Sequence, residues 1–449
     1  MAELFSKKHY EIIMKECRTF KERYCKISEK DVYIQFVYES NVMDGLRVTF
    51  DVYPEKLLFD LMDYALSLRK PKFPFFSYRF ETVIHREELY VYKEFREKAQ
   101  NGWLKAILCD EDYTFYGQLV WQCGEVICSK TGIKLQSEIS NSVMNAIERT
   151  TYSFNNKISE MNTHLDIINI NDGSSNLIDY DVYLYIVGSA NTTQIVNNYT
   201  NESLLVDCGI ERDYKYRSSY MQAENEIKML NPEYILLSHN HEDHYNLLFV
   251  SGAAQSLALG LNNMSAIKQV IISDVHSASL NVSYIKSLLG NKLTLLNPNV
   301  ANYQNVVSRA FPNVYVEFGV CPGQNNCVGG LQSSLENDTG MIVSIKNKKN
   351  IVLPGDCSFD FIPSNAGLSD ADYIVLPHHG GKVMMNNTVL LKDKCIPIVS
   401  SGFTTLYSSN KPGYQLRYDQ GIFLKNCGVI TNLLFLKSMG NTHYTINNV

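Results

Sequence analysis

The sequence lacks most features that would place it in a membrane, in a disulfide scaffold or on a polyanion. Its 449 residues contain no run of 18 or more apolar residues, so nothing in it reads as a membrane-spanning helix. The nearest stretch, Leu247 to Leu261, is broken by Ser251, Gln255 and Ser256 and reads as a buried helix. Met1 to Phe20 alternates charged and aromatic residues without an apolar core, so no secretory leader is expected. The 11 cysteines are odd in number and scattered. Cys123 and Cys128 are too widely spaced for a CxxC clip, as are Cys321 and Cys327. Free thiols in a reducing cytosol follow, and the Asn- and Tyr-rich, signal-free composition suggests a bacterial cytoplasmic protein. Basic charge is not in excess either. The formal net charge is -6, which excludes a general polycation for nucleic acid. What is present is ample apolar content, 45%, and a length that suits two domains.

The texture changes near residues 160–180, where Asn171-Asp172-Gly173-Ser174-Ser175-Asn176 reads as a linker or loop. Before it the chain is charged and aromatic. Of the 41 lysines and arginines, 23 fall in residues 1–170, beside a nearly equal number of acids. Tyr33 to Tyr38 and Arg47 to Tyr53 read as strands, and Gln136 to Met161 as a long helix. The expected division is therefore an N-terminal α+β domain over 1–170 and a second domain over 171–449. After the break, short β runs alternate with helices. Strands are expected at Val182–Val187, Gln194–Val196, Leu204–Val206, Tyr234–Leu237, Gln269–Ser273, Lys292–Leu296, Met341–Ile345, Ile351–Leu353, Tyr373–Leu376 and Ile396–Val399. A helix around Met221 to Leu230 should stop at Asn231-Pro232.

Histidine is scarce, ten in all, yet five fall in two short segments that each follow an apolar strand: His239, His241 and His244, then His378 and His379. His239 and His241 are two apart, so both can point to one side of an extended segment. Asp243 and His244 follow at the turn. Imidazole nitrogen suits zinc and other transition metals. Four ligand-type residues in six positions are costly to bury without a metal.

His239-Asn240-His241-Glu242-Asp243-His244 resembles the signature of the metallo-β-lactamase superfamily. Leu205-Val206-Asp207-Cys208-Gly209 is similar to that family's first motif, and Val352-Leu353-Pro354-Gly355-Asp356 to its strand-x-Gly-Asp motif. Narrower still, Asn337-Asp338-Thr339-Gly340, Pro354-Gly355-Asp356, Leu376-Pro377-His378-His379-Gly380-Gly381 and Val399-Ser400-Ser401-Gly402 resemble, in order, the metallo-β-lactamase domain of DNA-internalisation competence proteins. The usual histidine of the third motif is replaced here by Asn337-Asp338, and a later His-Pro by Lys411-Pro412.

The resemblance implies an α/β fold, the four-layer αββα metallo-β-lactamase sandwich, and a hydrolase with two divalent metal ions, zinc or manganese. His239 and His241 would hold one ion, with Asp338 as a third ligand. Asp243, His244 and His378 would hold the other, and Asp356 would bridge. Asp207 is expected to orient the histidine loop. His378 is preferred to His379 as the ligand because it comes first after the strand and its proline; His379 would then face the substrate. The implied activity is that of a phosphodiesterase or nuclease on DNA, RNA or a nucleotide. A hydrolase of a small ester, lactone, thioester or amide is the alternative, since the same metals polarise a carbonyl. A non-catalytic binding module is the third. The N-terminal domain is open to a protein partner or a homo-oligomer, and no membrane is expected.

Overall fold

The computed structural model describes residues 30–161 and 178–449, except for 43–44, 56–57, 60–61, 64–77, 100–101, 110, 122–125, 138, 212–217, 250–265, 274–282, 284–285, 287–288, 290–291, 297–302, 305–310, 324–325, 327–331, 382, 386–389, 401–417 and 437–440. The expected linker at 171–176 and Lys411-Pro412 lie outside the described residues. The chain forms two compact units. The first takes the described residues up to Met161, together with Phe249, Ser283, Lys286 and Leu289; the second takes the rest.

The first unit is built on a closed barrel of six strands: β1 (Lys30–Val42), β2 (Gly45–Pro54), β3 (Tyr78–His85), β4 (Trp103–Cys109), β5 (Phe115–Trp121) and β6 (Val126–Ser137). The order is β1-β2-β3-β5-β6-β4, and β4 pairs back onto β1, so no edge is left open. Strand alternation fills it. Leu46, Val48, Phe50 and Val52 of β2 enter the core with Ile34, Phe80, Leu104 and Ile133. Helix α1 (Leu89–Lys98) joins β3 to β4 and contributes Tyr92 to this core. Helix α2 (Asn141–Met161) begins later than the sequence suggested, because Gln136 and Ser137 end β6. The Ser140 carbonyl accepts the Met144 N–H and opens the helical ladder. Ile139, Met144 and Ile147 then pack with Tyr33, Tyr53 and Trp103 in a second cluster.

The second unit carries the remaining strands: β7 (Tyr180–Tyr185), β8 (Thr193–Asn197), β9 (Ser203–Val206), β10 (Tyr234–Leu237), β11 (Gln269–Ser273), β12 (Leu293–Leu296), β13 (Tyr303–Gln304), β14 (Val314–Phe318), β15 (Met341–Lys346), β16 (Asn350–Leu353), β17 (Tyr373–Val375), β18 (Ile396–Val399), β19 (Leu434–Phe435) and β20 (His443–Ile446). They make two seven-stranded sheets among the described residues, ordered β12-β11-β10-β9-β8-β7-β20 and β13-β14-β15-β16-β17-β18-β19. Among the described residues four helices accompany them: α3 (Met221–Lys228), α4 (Glu242–Phe249), α5 (Gln332–Asp338) and α6 (Tyr418–Asn426). The unit is thus a mixed α/β structure dominated by sheet.

Each sheet has a parallel half, β9 to β12 in one and β16 to β19 in the other. Strands β9, β10 and β11 read as near-continuous apolar runs because they are buried on both faces; all four residues of Tyr234–Leu237 are buried. Parallel neighbours end at one level, so the loops leaving them gather on one side. The loops are also interlocked. The Met341 N–H, at the start of β15, donates to the Ser238 carbonyl just after β10 at 2.7 Å, linking the two sheets directly. A Cβ at Gly355, whose φ is +57, would lie 2.9 Å from Ser238 Oγ. Only a glycine lets these two loops approach so closely in that backbone conformation.

Candidate metal centre

Apart from Asp338, which ends α5, every site residue named from the sequence follows a parallel strand, on its loop or on the helix after it. Asp207 follows β9, and Ser238 and His239 follow β10. Asp356 follows β16, and His378 and His379 follow β17. The Asp207 N–H donates to the Leu236 carbonyl, which extends the β9–β10 ladder by one rung and fixes the level of both loops. Helix α4, which carries Asp243 and His244, is bolted to the loop after β9. The Cys208 N–H donates to the His244 carbonyl at 2.7 Å, and the Leu247 N–H to the Cys208 carbonyl at 2.9 Å. Gly209 allows this contact, since a Cβ there would fall 1.6 Å from the Asp243 carbonyl oxygen.

Two groups of three donors converge and are buried: His239, His241 and Asp356, then Asp243, His244 and His379. Asp356 stands between them. Its Oδ2 lies 3.8 Å from His239 Nε2, and its Oδ1 lies 3.2 Å from His244 Nε2 and 3.6 Å from His379 Nε2. His379 Nε2 is also 3.7 Å from Asp243 Oδ2.

A hydrogen-bonded second layer orients two of the rings. Asp207 Oδ1 accepts the Ser238 N–H at 2.7 Å. Its Oδ2 accepts Ser238 Oγ–H at 2.9 Å and lies 2.8 Å from His244 Nδ1. A carboxylate can only accept, so the His244 Nδ1 proton is held on Asp207 and Nε2 is the nitrogen that faces the centre, where a cation would replace a proton. Ser238 Oγ, having spent its proton on Asp207, accepts from His239 Nδ1 at 3.1 Å and fixes that ring in the same tautomer. Asp207 itself adopts a left-handed backbone, φ 57, at the turn that aims it here.

Charge completes the picture. Burial, reinforced by the neighbouring His244 and His241 rings, lowers His239 well below the ordinary imidazole range, so it is neutral and able to donate a lone pair. Burial would push the Asp356 carboxyl up, but His244, His378 and His379 outweigh it and hold the group well below the usual carboxylate range. Burial opposes charge on His244 too, yet Asp356 and Asp207 raise it well above the ordinary value. A place between two buried carboxylates that draws a proton so strongly is a place that favours a cation.

The donor set fits a metal ion. The separations of 3.2–3.8 Å are longer than charge-assisted hydrogen bonds, about 2.7–2.9 Å. Two ligand atoms about 2.0–2.2 Å from one ion, at a tetrahedral angle, stand about 3.4 Å apart. His239 Nε2 and both ring nitrogens of His379 are buried and find no hydrogen-bond partner among the described residues. Buried polar atoms in that state cost free energy unless something else satisfies them.

Two features differ from the sequence expectation. The second three-donor group contains His379, which is 3% exposed, rather than His378. Both residues adopt left-handed backbone, φ 52 and 53, and this sharp turn swings the second ring inward. His378 still reaches Asp356, with Nε2 at 3.8 Å from Oδ2, but its side chain is 18% exposed. Asp338 belongs to neither group. Its Oδ1 accepts the Ser358 N–H at 2.8 Å, which clamps the turn bearing Asp356. Two residues of the site went unread in the sequence. Ser238 had a signal, a polar residue closing an apolar strand directly before the histidines. Glu336 had none, yet its Oε2 lies 3.4 Å from His241 Nε2.

No family model matches the sequence, and no curated protein matches it. Among solved structures, a long form RNase Z from yeast aligns with 77% of this chain at 11% identity and a TM-score of 0.31. The chain spans about half the length of that protein, covering 50% of it. So distant a likeness carries no argument about this molecule, whose own geometry shows a buried histidine–aspartate centre with the donors and spacing to hold metal ions.

Proposed function

We propose that this chain is a hydrolase of the metallo-β-lactamase fold, with its second unit forming the four-layer αββα sandwich and the division of the chain falling near residue 170. Its centre takes two divalent ions, zinc or manganese, and its activity is that of a phosphodiesterase or nuclease on DNA, RNA or a nucleotide. The observation that carries the reading is the pair of buried three-donor groups with Asp356 between them. The order of motifs, which resembles the competence-type domains, favours a phosphodiester over a carbonyl substrate.

His239, His241 and Asp356 would hold one ion, and Asp243, His244 and His379 the other, with Asp356 shared. Such ions supply Lewis-acid polarisation of a phosphoryl oxygen and lower the pKa of a water at neutral pH. The chain's own groups do the rest. Asp207 and Ser238 keep the Nδ1 protons of His244 and His239 turned away from the centre. Asp356 stays ionised, and Asp338 holds its turn in place. His378, partly exposed at the edge of the centre, is positioned to donate to an anionic oxygen of the substrate. No helix among the described residues is long and apolar enough to cross a membrane. We place the protein in the cytoplasm, with the barrel unit serving a protein partner or self-association.

The test is hydrolysis of bis-(p-nitrophenyl) phosphate and of labelled single- and double-stranded DNA with manganese or zinc added, for the wild type beside Asp243→Ala and His239→Ala. Metal-dependent cleavage lost in both variants supports the reading. A protein that holds two ions and cleaves neither substrate sinks it in favour of a small ester, lactone, thioester or amide.

A further inference from the structure

We propose that Glu336 is a ligand of the ion held by His239 and His241, a carboxylate standing where a third histidine would otherwise be. The inference rests on the metal-centre reading above. Helix α5 delivers Glu336 just before the chain turns into β15, the strand whose first N–H is tied to Ser238. This places Glu336 Oε2 3.4 Å from His241 Nε2, with the two side chains 12% and 4% exposed.

Three observations support a ligand over a simple ion pair. The separation is too long for a charge-assisted hydrogen bond, about 2.7–2.9 Å, and matches the spacing of two atoms on one tetrahedral ion, about 3.4 Å. It falls within the range of the other donor pairs of the centre, 3.2–3.8 Å. A carboxylate with only 12% of its side chain exposed is also favoured by a counter-charge. Among the described residues no lysine or arginine pairs with it, and His241 is its one ionic neighbour.

Asp338, two residues on, is the rival by sequence. Its Oδ1 accepts the Ser358 N–H, which ties this residue to the turn bearing Asp356. The helix thus splits the work: Glu336 faces the histidines and Asp338 the backbone that holds the shared aspartate. Oxygen from Glu336 in place of nitrogen hardens this half of the centre, which makes it more accommodating to manganese.

The full chain, stripped of metal and titrated with Co²⁺ and with Zn²⁺ against a chelator, gives the stoichiometry, both affinities and the cobalt d–d spectrum. Glu336→Gln, which keeps shape and loses charge, should weaken one of two ions at least about tenfold and alter the spectrum. Glu336→Asp, which keeps a carboxylate, should recover a good part of that affinity. Should Glu336→Gln fail to fold by far-UV circular dichroism, Glu336→His asks the same question. A shifted spectrum with two ions retained supports the proposal, and an unchanged spectrum overturns it. If Glu336→Gln matches the wild type while His239→Ala loses an ion, Glu336 is no ligand and the metal centre stands. If His239→Ala also binds as the wild type does, or the wild type takes up no cobalt, the metal-centre reading falls and this proposal with it.

Discussion

Replacing Asp207 by asparagine changes one atom and should disable the centre without touching a ligand. The carboxylate takes three hydrogen bonds: Ser238 N–H on Oδ1, then Ser238 Oγ–H and His244 Nδ1–H on Oδ2. In Asp207→Asn the amide oxygen can keep the Ser238 N–H. The amide NH₂ then faces two groups that were both donating to it. His244 can escape the clash by moving its proton to Nε2 and accepting at Nδ1, but Nε2 then carries hydrogen toward Asp356, where the lone pair was needed. Two charge-assisted bonds are exchanged for weaker neutral ones in a buried site, a loss of about 2–4 kcal/mol in folding stability. Metal affinity should fall roughly 10–100-fold, the usual effect of removing a residue that orients a ligand.

Urea unfolding of the metal-free protein followed by far-UV circular dichroism reads the first quantity, and zinc competition with a chelator reads the second. Metal-free protein is required, because a bound ion would mask the intrinsic loss by mass action. A folded Asp207→Asn that binds zinc with wild-type affinity would refute the tautomer argument, whatever its stability.

Other consequences can be checked separately. His379→Asn and His378→Asn put a residue that tolerates left-handed backbone at each position, so neither change adds the strain that alanine would at φ 52–53. The first should lose an ion by metal analysis; the second should retain both and lower only catalytic turnover. Gly209→Ala drives a methyl group onto the Asp243 carbonyl and should cost about 3 kcal/mol or more in thermal unfolding, with loss of metal. At two ions with free metal about 100-fold above Kd, chelation should remove about 2.7 kcal/mol of stability per ion, seen as a lower Tm. Burial, then Asp372, pushes the Cys395 thiol up to about 12, and burial raises Cys208 further. At pH 8 roughly one Cys395 in ten thousand is then thiolate. Mass-spectrometric mapping after iodoacetamide should therefore find Cys208, Cys357 and Cys395 unlabelled in the folded chain, while the half-exposed Cys321 and Cys427 react.

Much of the second unit was legible because buried parallel strands leave a plain record. Tyr234–Leu237, Gln269–Ser273 and Ile396–Val399 are apolar runs bounded by polar turns, and they occur where the sequence placed them. The barrel was less legible. Strand patterning does not reveal that β4 returns to β1, which is a long-range pairing with no local signature. The polar outer face of β2 misleads as well. Thr49 and Asp51 alternate in sequence with the apolar Val48, Phe50 and Val52, yet they are buried too.

The histidine doublet shows where sequence periodicity stops being informative. Counting from the end of β17, His378 is the first residue able to reach the centre, and an extended backbone would send His379 the opposite way. The backbone is not extended there. Two successive left-handed residues reverse the chain within a single step, closed by the Gly381 N–H donating to the His378 carbonyl and by the His378 N–H donating to the Gly355 carbonyl beside Asp356. Left-handed backbone in a non-glycine residue costs roughly 1–2 kcal/mol, and two in a row double it. Glycines at 380 and 381 relieve the strain around the doublet but do not remove it, so contacts elsewhere in the loop must offset it. The Gln420 side chain is one such contact, donating to the carbonyls of Pro377 and Gly381 on either side of the turn at 3.0 and 2.7 Å. Gln420 is fully buried and belongs to neither three-donor group. Gln420→Leu, similar in volume but unable to donate, should therefore let the turn relax toward extended backbone and withdraw His379. An ion lost by metal analysis in a variant that remains folded is the expected outcome; two ions retained at wild-type affinity would mean that the left-handed pair is held by the histidines' own contacts.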